Sequence, residues 1–140
     1  MKYNSDLCVI TDCPPSSCTS ESRDSFRFVF NPLDSKSFLP QGKKSPQRVH
    51  KENRNQIKCS LLGLSMFSSE KAARDHYIKL REFVTNIDKT IGSHLANGRI
   101  ESHHGLMSNP SNSGHFDLFE FAGVDLTQDF SVMYECSGNI

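Results

Sequence analysis

The pattern of apolar and polar positions separates a plain start from a patterned remainder. Residues 1–24 read as a poorly ordered lead-in. The stretch "CPPSSCTSESRDS" holds almost nothing apolar and cannot offset its ordering entropy. "DLCVIT" before it can add a short edge strand. In "SFRFVFN", residues 25–31, Phe26, Phe28 and Phe30 alternate with Arg27 and Val29. That period of two predicts a strand with one buried aromatic face and Arg27 on the wet face. Pro32 ends it by removing a donor. Residues 33–55 read as a long polar loop, pinned at Phe38 and Leu39.

"QIKCSLLGLSMF", residues 56–67, is apolar on both parities, which predicts a buried strand with a bulge near Gly63. Beyond a Ser68 or Ser69 cap, Ala73, Tyr77, Leu80, Val84, Ile87 and Ile91 recur at steps of three and four. This spacing predicts one long amphipathic helix that stops at Gly92, with Thr85 and Asn86 marking a bend. Asn97-Gly98 is a hairpin signal. "HFDLFEF" and "SVMYEC" read as closing strands, and "DLTQDF" as one helical turn capped by Asp125. The sum is an α+β fold, a mostly antiparallel sheet packed against one long central helix, with residues 25–140 as a single domain.

Composition narrows the class. A chain of 140 residues suits one domain with one core. No apolar run reaches the roughly 7–15 residues of a signal peptide or the ~18 of a membrane span, so no membrane and a cytoplasmic location are expected. The five cysteines form an odd set without close C-x-x-C spacing. All are expected as reduced thiols, with Cys59 and Cys136 as small core residues.

A net charge of zero hides a polarity. Residues 25–58 hold eight lysines and arginines against two acids, whereas residues 101–140 hold six acids and no lysine or arginine. The two segments can neutralise each other or serve as interaction surfaces. Neutral charge and exposed sheet edges also leave a homodimer open.

The most chemically suggestive stretch is "ESHHGLMSNPSNSGHFDLFEF", residues 101–121. In a strand, His115 and Asp117 share a face. His103 and His104 are adjacent and would point to opposite faces, so at most one of them can join a site with His115, and His103 is taken as that third member. His103, His115 and Asp117 form a possible metal set, with imidazole and carboxylate ligands suited to zinc or manganese. The same three are catalytic candidates for acid–base work. Histidines facing water around a polar turn are the plain alternative. Arg27 is a candidate for binding an anion bidentately. The sequence contains no H-E-x-x-H, no G-x-S-x-G and no phosphate loop leading into a helix, so the cofactor stays unassigned.

Lys43, Lys44, Arg48, Lys51, Arg54 and Lys58 oppose only Glu52 along the basic loop and can follow an anionic polymer. No aromatic is interleaved to stack bases. Arg27 early, Ser65 after a central strand and Glu120 late are similar in order to the Arg–Ser–Glu set of NAD-dependent ADP-ribosyl transfer. That order alone assigns no family. Two function classes follow. The first, favoured here, is a binding or regulatory module contacting an acidic protein or nucleic acid through residues 43–58. The second is a small enzyme on a phosphorylated or nucleotide substrate, with His115 and Asp117 as ligands or acid–base pair, His103 or His104 assisting and Arg27 holding the anion.

Overall fold

A computed structural model describes all 140 residues. Strands β1 (Arg23–Val29), β2 (Leu64–Phe67), β3 (His94–Ile100), β4 (Gly105–Met107), β5 (His115–Glu120) and β6 (Phe130–Glu135) form one sheet in the order β4-β5-β2-β1-β3-β6. Every neighbouring pair is antiparallel. The fold is α+β, as the pattern predicts. The helices are few and short: α1 (Asn4–Leu7), α2 (Gln41–Lys44), α3 (Pro46–Lys51), α4 (Asn55–Ser60), α5 (Glu70–Arg81) and α6 (Ile87–Thr90), with a 3-10 turn at Ser35–Phe38.

The single long central helix is corrected. α5 runs for 12 residues from its Ser69 cap, whose hydroxyl accepts from the Ala72 amide at 3.1 Å. The apolar stripe continues beyond it, but the chain does not stay helical. Asn86 adopts a left-handed φ of 55°, and α6 restarts after it. Thr85 and Asn86 are weak helix formers, and asparagine tolerates that conformation at small cost.

Three further expectations change. Residues 56–67 divide into α4 and β2, because a short apolar run does not distinguish a buried strand from a buried helix turn. Gly63 sits at their junction rather than in a bulge. A Cβ there would meet Asp117 Cβ and Phe119 at 3.1 Å, so glycine lets the entrance to β2 lie against β5. Asn97-Gly98 lies inside β3, which is paired on both sides. A Cβ on Gly98 would come within 2.6 Å of the Phe130 ring, and the packed neighbour overrides the turn signal. Residues 127–129 form a turn rather than a helix, with Asp125 Oδ1 accepting from the Thr127 amide at 3.0 Å.

Residues 1–24 are packed, contrary to a disordered lead-in. Leu7 and Ile10 are buried in a cluster with Cys59, Leu62 and Phe119. Lys2 reaches the buried Glu120 carboxylate at 2.9 Å, and Thr19 bridges Met107. Cys13 and Cys59 are joined in a disulfide, so they are not reduced thiols. The expectation failed because it counted cysteines against a presumed compartment, while the partner of Cys13 lies 46 residues away. The bond withdraws the thiol argument for a cytoplasmic location. No helix is long and apolar enough to cross a membrane.

The sheet has a seam. β1 pairs with β3 over seven consecutive residues, but with β2 only at Phe26 and Phe67. On one face Val29, Leu64, Met66, Ala96, Phe116 and Leu118 pack into the largest apolar cluster. On the other, α5 places Ala73 and Tyr77 against Phe28, Phe67 and Leu95. Between the two half-sheets, β1 and β2 splay apart.

Candidate functional site

The splay leaves backbone groups of β2 without ladder partners, and buried groups of that kind must be satisfied. Arg27 does this. Its Nε donates to the Ser37 carbonyl at 2.8 Å, and its Nη1 donates to the Ser65 carbonyl at 2.7 Å. Arg27 is 7% exposed and buried, not on a wet face as the alternation predicts. Both faces of β1 are covered, so Arg27 and Val29 are buried as well as Phe28. No carboxylate ion-pairs with Arg27, although the buried Glu120 acts on it through its charge at longer range. Glu120 pairs with Lys2 instead. Burial holds the guanidinium pKa down, at about 10.

A cleft of about 230 Å³ opens at the seam, lined by Arg27, Arg48, Ser65, His76, His115 and Asp117 among others. Phe28, Phe67, Leu80 and Ile91 supply its apolar wall. His115 and Asp117 share a face of β5 as the alternation predicts, and both look into this cleft. Across the ladder, Ser65 pairs with Asp117 and Phe67 with His115. Ser65 Oγ lies 2.7 Å from His115 Nε2. The same Nε2 is 3.8 Å from Asp117 Oδ1, too long for a hydrogen bond. Asp117 Oδ2 accepts from Ser60 Oγ at 2.8 Å, which ties α4 to the cleft.

Burial sets the charges here. It pushes the Asp117 carboxyl up to about 6, against the opposing hydrogen bond from Ser60. Burial also lowers the His115 pKa, so its ring is neutral at pH 7. Nε2 can then accept from the Ser65 hydroxyl. His76, from α5, has its pKa lowered by burial and then by His115, and its ring stacks with His115 at 6.3 Å. The cleft therefore holds two cationic guanidinium groups, two neutral imidazoles, two serine hydroxyls, and a carboxylate that titrates near neutrality.

The other sequence candidates separate. His103 is exposed, in the turn after β3, and packs against the ring of His104. It does not join His115 and Asp117, and no group of three or more His, Cys, Asp or Glu side chains is placed to hold a metal ion. The three-ligand set is thereby corrected to a His115–Asp117 pair. His104 is a satisfied core residue, its Nδ1 accepting from the Glu101 amide at 2.8 Å.

The basic segment is not a loop. Lys43 pairs with Asp6 at 2.9 Å and Arg54 with Glu52 at 2.9 Å. Lys44 leans on the Phe30 ring. Arg48, Lys51 and Lys58 form no ion pair, and Arg48 stands at the cleft. No ion pair joins residues 25–58 to residues 101–140.

Sequence reasoning missed His76 and Ser60 and passed over Ser65. His76 had a signal: it lies four residues before Leu80, at the edge of the apolar stripe, and both line the cleft. Ser60 had none, because its role depends on the α4–β5 approach. Of the Arg–Ser–Glu order, Arg27 and Ser65 meet at the cleft, while Glu120 faces Lys2 and lines a different cavity.

No protein-family model matches the chain, and neither a curated protein nor a solved structure is detectably similar to it.

Proposed function

We propose that the protein is a small enzyme acting on a phosphorylated or nucleotide substrate held in the seam cleft. One observation carries this reading. A buried guanidinium without a carboxylate partner lines a cleft beside an imidazole and a carboxyl group shifted toward neutrality. A buried cation without an ion-pair partner, offset only by the longer-range charge of Glu120, is costly, and an anionic ligand supplies a direct counter-charge. Groups shifted in this way within a cleft are suited to proton transfer.

Arg27 and Arg48 hold the anionic group. His115, neutral at pH 7, takes a proton from the Ser65 hydroxyl or from a substrate hydroxyl on the same side. Asp117, ionised above about pH 6, is the second proton acceptor, and Ser60 orients it. The test is turnover across a panel of nucleotides and sugar phosphates, with His115→Ala and Asp117→Asn as controls. The expected loss in each variant is on the order of 10²–10⁴-fold with the fold intact. A substrate turned over equally well by both variants would overturn the assignment.

A second reading keeps residues 43–58 as a contact for an acidic protein or nucleic acid. It is favoured by Arg48, Lys51 and Lys58, which have no acidic partner within the chain. It predicts binding that weakens steeply with salt and disappears in the triple glutamine variant. Binding that is insensitive to both ends it.

A further inference from the structure

The seam cleft is small. Its volume of about 230 Å³ falls below the ~300–1,000 Å³ of pockets that enclose a whole ligand. A phosphorylated substrate anchored on Arg27 must therefore project out of it. Two neighbouring clefts adjoin. One shares His76 and follows the start of α5; there Asp75 neutralises Lys71 at 2.6 Å, which leaves Lys79 as its single lysine without an ion pair. The other shares Gln41, has a volume of about 650 Å³, and lies between the 3-10 turn, α2 and α6.

This second cleft is lined by Lys36, Lys44 and Lys89, and none of the three forms an ion pair. Its one acid, Asp34, is turned back to accept the Lys36 amide at 2.9 Å. Lys44 is only partly exposed, with its ammonium 4.9 Å from the centre of the Phe30 ring. Burial and then the charge of Arg27 hold its pKa below the usual lysine value. Three lysines without an ion pair thus share one cleft with a single acid, beside a cleft whose own guanidinium has no ion-pair partner.

We propose that the substrate runs past Gln41 and places a second phosphoryl group among Lys36, Lys44 and Lys89. The substrate class is then a compound with two phosphoryl groups, linked or separate. This rests on the reading of the Arg27 cleft as an anion site.

The experiment is calorimetric binding of inorganic tripolyphosphate and of orthophosphate at low salt. It compares the wild type, a Lys44→Gln/Lys89→Gln double variant and Arg48→Gln, each checked for an unchanged Tm. The wild type should bind tripolyphosphate more tightly than orthophosphate. The lysine variant should lose roughly tenfold per lysine in tripolyphosphate affinity and keep its orthophosphate affinity. Arg48→Gln should weaken both ligands. Wild-type tripolyphosphate affinity in the lysine variant, with Arg48→Gln still impaired, overturns the second subsite and leaves the seam-cleft reading standing. Loss in the lysine variant alone overturns the shared ligand and counts against the seam cleft. No binding by the wild type overturns both.

Discussion

At the scale of the residue, Asp117 is the most informative side chain. Its pKa rises from 3.8 to about 6 on folding, so between these values the native state binds more protons than the unfolded chain. Stability from this group falls as pH rises through that window. Above about pH 6 the native carboxylate carries the full burial penalty, and below the unfolded value neither state does. Asp117→Asn should therefore stabilise the protein at pH 7.5, by up to about 3 kcal/mol, and by little near pH 4. Chemical denaturation of both proteins at the two pH values checks this. Equal stability changes at the two values would count against a buried, shifted carboxyl. In activity, protonation of the same group should produce an acid limb near pH 6 that Asp117→Asn abolishes.

Arg27 makes the opposite bargain. Replacing it with methionine removes a buried charge but strands the Ser37 and Ser65 carbonyls it satisfies. The stranded acceptors should dominate, at about 1–3 kcal/mol each, so Arg27→Met should be clearly destabilised. Thermal melts measure it; a neutral or raised Tm would mean that the two hydrogen bonds contribute little.

At the scale of the element, α4 is the hinge of the account. Cys59 binds it to Cys13, and the next residue, Ser60, holds Asp117. A crosslink closing 46 residues restricts the unfolded chain by about 4 kcal/mol in the chain-entropy picture. Cys13→Ser should lower the Tm substantially. It should also shift the Asp117 titration, because the Ser60 hydrogen bond loosens with α4. Carboxyl-detected NMR separates the two effects. A lower Tm with an unmoved titration would mean that the disulfide staples the amino-terminal segment without supporting the site. In β3, Gly98→Val should disrupt the pairing with β6, since its side chain would overlap the Phe130 ring.

At the scale of the whole molecule, the sheet was legible where one strand face met one core. β5 follows its alternation, and the shared face of His115 and Asp117 comes directly from it, whereas β1 forms where its period predicts but is buried on both faces. The seam was not legible. It depends on β2 being four residues long and meeting β1 at a single residue pair, which no local pattern encodes. The burial of Arg27 follows from that seam, so an arginine read as wet became the centre of the cleft. The amino-terminal segment misled for a related reason: its few apolar residues and one cysteine find partners far along the chain. The charge polarity, visible in the sequence, is not cancelled by ion pairs between the two segments. The cationic side remains available around the seam and the lysine cleft.

The central claim is that the seam cleft binds an anion at Arg27 beside a working His115–Asp117 pair. The most direct measurement is an NMR titration with inorganic phosphate, following the arginine Nε–H and histidine ring signals. The account predicts saturable shifts of Arg27 Nε–H and the His115 ring together, with the His115 pKa raised by the bound anion. Shifts confined to exposed lysines, with Arg27 and His115 unmoved at saturation, would contradict it.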